Sequence, residues 1–221
     1  MIGGEPVHDW TIETGEIRFG VFEYGLRAHR FEVRLASGEW RRVALAYPTF
    51  EHYLSDNVSM GAVVGRYANR VRDGRFELGG RWIQLERNNG GHHLHGGSRG
   101  FGQRVWKGQA VPGGAHFEPI DPAGHAGYPG TLRIMVDIMV DERMVTYRYR
   151  ASSDADTIVN PTCHIYFNLN GAGSIRDHRL ALAATHYLPV DKARLPTGAD
   201  GRGCKNGFRL SVTGHTGCEA G

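Results

Sequence analysis

The sequence predicts an all-β protein, a large antiparallel β-sandwich, on three observations. From Leu132 to Val140 the side chains alternate. Leu132, Ile134, Val136, Ile138 and Val140 fall on one face and Arg133, Met135, Asp137 and Met139 on the other, the period of a half-buried strand. After a turn at Asp141-Glu142-Arg143, Val145, Tyr147 and Tyr149 alternate back against Thr146, Arg148 and Arg150, so the two runs make a long antiparallel hairpin. The rest of the chain spaces short strand-like runs between turns, with no clear amphipathic helix of about ten residues, a pattern that argues an antiparallel sandwich.

The elements follow in order. Phe31, Val33 and Leu35 alternate with Arg30, Glu32 and Arg34, which predicts a strand ended by Gly38. Val43 to Tyr47 predicts a second strand, stopped by Pro48. Thr49 to Leu54 reads as one short helical turn with Thr49 as its N-cap. Arg75 to Leu78 and Arg81 to Leu85 are strand-like runs joined by Gly79-Gly80, a pair able to take the positive φ values of a two-residue hairpin loop. The hairpin is a spacer that brings its two flanks together. Gly127-Tyr128-Pro129-Gly130 reads as a turn, and Pro196 to Gly198 as another after an extended segment fixed by Pro189.

The 221 residues, 40% of them hydrophobic, suffice for a real core in one large domain or two small ones. With 26 basic and 23 acidic residues the formal charge is +3, and the basic residues are scattered, so no nucleic acid partner is implied. The first residues do not read as a secretory signal, and no run of about 18 apolar residues suggests a membrane span. The expectation is a soluble cytoplasmic protein. Cys163, Cys204 and Cys218 are odd in number and form no C-x-x-C pair, so reduced thiols are expected rather than a disulfide framework.

The chemistry concentrates on the flanks of the glycine hairpin. Before it stand Gly65, Arg66, Asn69 and Arg70; after it stand Asn88, Asn89, His92, His93, His95 and Arg99. Such a surface has many hydrogen-bond donors and little apolar area, which suits a ligand covered in hydroxyls. A metal would compete for His92, His93 and His95. Successive side chains of a strand point to opposite faces, so His93 and His95 can share a face and His92 cannot. No metal and no cofactor are predicted. A second polar stretch runs from Asn160 to Gly171, where Thr162, His164, Tyr166 and Asn168 alternate and would share one strand face. That is a poor core face and a plausible sugar-contacting one.

Four ordered segments resemble the aldose 1-epimerase (galactose mutarotase) family. Gly65-Arg66-Tyr67-Ala68-Asn69-Arg70 is similar to its G-R-x-x-N-R segment, and Asn88-Asn89-Gly90, Leu94-His95-Gly96-Gly97 and Arg99-Gly100-Phe101 to its N-N-G…L-H-G-G-x-x-G-F segment. Asn160 to Leu169 is similar to N-x-T-x-H-x-Y-F-N-L, and His186 to Asp191 with Leu195 to Gly198 to Y-L-P-V-D…P-T-G. The resemblance implies the β-sandwich of the galactose mutarotase fold over residues 1–198. It also implies interconversion of the α and β anomers of a small aldose such as glucose or galactose. In that reading His164 is the acid that protonates the ring oxygen, His95 hydrogen-bonds near that oxygen, and Asn69 and Arg70 hold sugar hydroxyls.

From about Asp200 the text no longer follows the family, and the substrate-binding aspartate and catalytic glutamate that the resemblance implies cannot be placed on any residue. The sandwich is accordingly expected to be incomplete at its C-terminus, through a premature stop, a frame change or a deletion, with 199–221 a divergent and poorly ordered tail. A sugar-binding or non-functional member without the general base is the alternative to an active isomerase.

Overall fold

The computed structural model describes residues 1–199, 201–202 and 208–211. The chain divides into two compact units, Met1–Phe167 and Asn168–Gly221. The first begins with β1 (Asp9–Glu13), β2 (Ile17–Phe22), β3 (Arg27–Arg34) and β4 (Trp40–Arg42), a four-stranded antiparallel sheet in sequence order. β3 contains the predicted alternating run as far as Arg34, with Leu35 in the turn that follows, but the second predicted strand is displaced. The Val43 amide still donates to the Phe31 carbonyl of β3, but residues 44–47 leave the sheet edge, because Ala44 bridges to Phe167 and the Leu45 amide donates to the Tyr166 carbonyl. Partners distant in sequence, rather than the local apolar run, decide where this strand stops. The helical turn α1 (Phe50–Leu54) follows, with Thr49 extended at its N-cap position. The Thr49 hydroxyl makes no capping bond to a helix amide and instead meets His52 Nδ1 at 3.0 Å.

Short pairs carry the chain across the middle of the unit: β5 (Val63–Val64), β6 (Arg70–Val71), β7 (Arg75–Leu78), β8 (Arg81–Gln84) and β9 (His93–Leu94). β7 and β8 form the predicted hairpin, with Gly79 at φ 56° and Gly80 at φ 73°, the left-handed pair of a tight two-residue loop. Its closure brings the flanks together, and β6 pairs antiparallel with β9, Arg70 opposite Leu94 and Val71 opposite His93.

The second sheet holds β10 (Lys107–Val111), β11 (Gly114–Glu118), β12 (Ile120–Asp121), β13 (Leu132–Val140) and β14 (Val145–Ser153). β13 and β14 are the predicted long hairpin, in register from Leu132–Ser153 to Val140–Val145. Leu132, Ile134, Val136, Ile138 and Val140 are all buried. They meet Ile17, Phe19 and Val21 of the first sheet in one core, with Ala115, Phe117, Phe101 and Trp106 filling it. Edge-to-face rings lock the two layers: Trp10 stands 5.6 Å from Phe117, and Phe19 6.1 Å from Tyr147. The unit is thus the all-β sandwich that the alternation predicts. β15 (Thr162–Cys163) closes it by pairing with β5.

Arg66 was expected among the ligand-facing groups, and the structure places it elsewhere. It is buried, ion-paired to Asp121 at 2.8 Å, and donates to the carbonyls of Pro129 and Gly130. A buried guanidinium needs all its protons engaged, and the turn after Tyr128 supplies the acceptors.

In the second unit β16 (Arg179–Leu182) pairs with β19 (Phe208–Ser211), and β17 (His186–Tyr187) with β18 (Gly201–Arg202). Gly198 takes φ 79° in the turn expected after Pro196. Of the stretch 199–221, expected to be a poorly ordered tail, only 199, 201–202 and 208–211 are described, so that expectation falls mostly outside the described residues. Among the described residues no helix is long and apolar enough to cross a membrane.

Candidate functional site

The pairing of β6 with β9 ends at two residues in left-handed conformation, Asn69 at φ 63° and His95 at φ 54°. Such a backbone costs an L-residue on the order of 1 kcal/mol, least for Asn and His. Reciprocal bonds offset it: the His95 amide donates to the Asn69 carbonyl at 3.1 Å, and the Asn69 amide donates to His95 Nδ1 at 3.0 Å. The second bond fixes the ring. A nitrogen that accepts an amide proton carries none of its own, so the neutral His95 imidazole holds its proton on Nε2 and offers it as a donor.

The turn that follows is made of glycines for a steric reason. A Cβ on Gly96, at φ 88°, would run into the carbonyl of Gly65, and one on Gly100 would lie 2.6 Å from the His95 carbonyl oxygen. Gly96→Ala is expected to lower stability by about 2–3 kcal/mol through strained backbone and this collision, read as a shift of the urea midpoint.

His164 arrives from the other side of the unit. Its amide donates to the Ala62 carbonyl at 2.7 Å and its carbonyl accepts from the Gly61 amide at 3.1 Å. This holds the residue beyond the end of β15 and beside the His95 turn. The two imidazoles stand 5.3 Å apart, ring centre to ring centre, and nearly perpendicular at 84°. Tyr166 lies 5.0 Å from the His164 ring and donates its hydroxyl to the Val58 carbonyl. Arg70 is half-buried, its Nε held by Asn89 Oδ1 at 3.2 Å.

Burial is the main cause that lowers the His95 pKa from 6.5 to about 4, with smaller electrostatic contributions from His164, Arg70 and His93 in the same direction. His95 is therefore neutral at pH 7. The sign for stability follows. Below about pH 6.5 the unfolded chain takes up a proton at this residue that the native chain refuses, so its contribution is complete above that pH and declines as pH falls toward 4. Denaturant titrations between pH 7 and pH 4 should show this slope, and His95→Gln should remove that part of it.

The structure brings His95, His164, Asn69 and Arg70 together and sends other predicted residues elsewhere. His93 is interior, between the Glu86 carbonyl at 2.7 Å and the Tyr128 hydroxyl at 2.6 Å. His92 Nδ1 accepts from the Asp73 amide, and the Asn88 side chain clasps the backbone of Leu94. The three neighbouring histidines thus each have their own partner. Thr162, His164 and Tyr166 belong to the first unit, whereas Asn168 opens the second, where its side chain bonds the Asn170 amide and the Gly173 carbonyl.

One supporting pair is invisible in the sequence. Arg27 and Asp56 are both buried and joined at 2.7 Å. Asp56 also accepts from the Tyr47 hydroxyl and the amides of Val58 and Met60. Burial alone would raise its pKa, but the hydrogen bonds and charge of Arg27 and the Tyr47 bond outweigh it and leave the carboxyl lowered. The pair fixes the loop that leads into Gly61 and Ala62, the two residues that hold the backbone of His164. No motif marks two residues so far apart in sequence.

The family profile described as aldose 1-epimerase matches residues 9–210. The galactose mutarotase of Rattus norvegicus is 37% identical over 198 residues, covering 89% of this chain and 58% of that protein. Among solved structures, an aldose epimerase homologue from C. elegans superposes with a TM-score of 0.88 at 26% identity, over 95% of this chain and 67% of that one. The galactose 1-epimerase of Lactobacillus acidophilus NCFM superposes with a TM-score of 0.80 at 31% identity, over 91% and 60%. This chain therefore spans 58% of the length of the curated relatives it matches first.

Proposed function

The chain belongs to the aldose 1-epimerase family, and from that premise we propose that it binds an aldohexose such as glucose or galactose and interconverts its α and β anomers. The C1 hydroxyl loses a proton while the ring oxygen gains one and the bond between C1 and the ring oxygen breaks. The open aldehyde turns about C1–C2 and recloses by the reverse transfers. In this reading His164 is the acid at the ring oxygen, and His95, neutral and locked with its proton on Nε2, donates a hydrogen bond beside it. Asn69 and Arg70 hold hydroxyls of the sugar. The observation that carries the reading is the separation of the two rings. At 5.3 Å, near-perpendicular imidazoles can both direct a nitrogen to one oxygen at hydrogen-bond distances of about 3 Å.

A second reading, sugar binding without turnover, is favoured by one specific observation. Among the described residues the titratable side chains that act on His95 are His164, Arg70 and His93, all basic, whereas the C1 proton calls for a carboxylate acceptor. Polarimetry of freshly dissolved α-galactose or α-glucose, run beside a calorimetric titration with the same sugar, separates the two. Relaxation accelerated in proportion to the chain supports the isomerase. Binding without acceleration supports the second reading, and neither signal overturns both.

A further inference from the structure

A cleft of about 920 Å³ opens on the outer face of the second sheet, lined by none of the residues around His95 and His164. Its size lies in the range of small-molecule sites, roughly 300–1,000 Å³. Pro119, between β11 and β12, is one of its lining residues. The N-terminal turn closed by the bridge between Ile2 and Glu5 forms the facing wall.

We propose that this cleft is a second ligand site, one that takes a small organic anion with an apolar body. Its floor is apolar: Ile120, 56% exposed in the bare chain, lies with Met135 and Val105 where a hydrocarbon or aromatic body would cover them. Its rim carries four cations and two carboxylates. Three of the cations are engaged: Arg104 with Asp121 at 2.6 Å, Lys107 with Glu5 at 2.8 Å, and Arg150 with Asp137 at 2.9 Å. Of the two lining acids, Glu5 is paired with Lys107 and Glu118 stands opposite Lys107 in the strand register. Arg133 is exposed on β13 opposite Ile120 and Ser152, with no ion pair among the described residues. An open guanidinium beside an exposed isoleucine matches a carboxylate, which the fork holds through two bonds, on an apolar chain.

Calorimetric titration of the full chain with monomeric decanoate tests the assignment, with decyltrimethylammonium as the charge-reversed probe. Decanoate should bind at least about tenfold more tightly than the cation, as expected of a charged hydrogen bond. Arg133→Glu and Ile120→Asp, both at exposed positions, should each weaken it about tenfold or more, while Arg133→Lys keeps part of the affinity and His164→Ala all of it. The idea fails if decanoate gives no heat, if both probes bind alike, or if Arg133→Glu binds as the parent does. It fails equally if sedimentation shows self-association that Ile120→Asp abolishes, because a second copy would then be what covers the cleft. Since His164→Ala leaves this site intact, its failure and that of the anomer reading are separately visible.

Discussion

His164→Ala is expected to reduce anomer interconversion by about 10²- to 10⁴-fold, the usual contribution of general acid catalysis. The ring is partly exposed, so the substitution removes the proposed proton donor with a small structural cost, and the Ala62 and Gly61 bonds of its backbone remain available. His95→Gln should do less. A glutamine amide can still donate where Nε2–H does, so its loss should divide between KM and kcat rather than fall on kcat alone. The measurement is initial polarimetric rates over a range of α-galactose concentrations. Unchanged kcat in His164→Ala would remove that residue from the mechanism.

Asp56→Ala should cost about 3–5 kcal/mol, the typical result of stripping one partner from a buried ion pair and stranding the other charge. Arg27 would keep its bonds to the carbonyls of Met60 and Gly102 but lose its one ion-pair partner among the described residues, while the Tyr47 hydroxyl and the Val58 and Met60 amides lose their acceptor. Asp56→Asn keeps several of those hydrogen bonds and should cost less. Urea midpoints of the two variants order the charge against the hydrogen bonds, and equal midpoints for Asp56→Ala and the parent would show that the pair bears no weight. Where Asp56→Ala remains folded, its sugar turnover should also fall, because the loop that carries Gly61 and Ala62 sets the backbone of His164.

Much of the site could be read because its residues cluster in sequence. Asn69, Arg70 and His95 lie on the two flanks of one hairpin, and the Gly79-Gly80 loop makes their meeting a local event. His164 stood out by its polar strand face, but it could be joined to His95 only through a motif, since its approach depends on β15 pairing with β5 across the unit. Arg66 and His93 sit in the same polar stretch as the site residues and yet face inward. Polarity along a chain marks a need for hydrogen bonds; whether water, ligand or protein meets that need depends on what packs there. For Arg66 it is Asp121 and the turn at Pro129, for His93 the Tyr128 hydroxyl.

By itself the sequence determined the class of fold and the longest hairpin, since a two-residue period with one apolar face leaves β13 and β14 no other way to bury Ile134, Val136 and Ile138. It determined the tight loop at Gly79-Gly80 as well, because left-handed backbone at both positions is a local property of glycine. Only the tertiary structure decided the end of β4, the tautomer and neutral state of His95, and the buried Arg27–Asp56 support. Each of these rests on a neighbour brought from elsewhere in the chain: Phe167 against Ala44, the Asn69 amide against a ring 26 residues on, and one buried charge against another. Local periodicity reports which face of a strand is dry. It carries no information about which partner arrives there, and that partner sets the charge of a buried group.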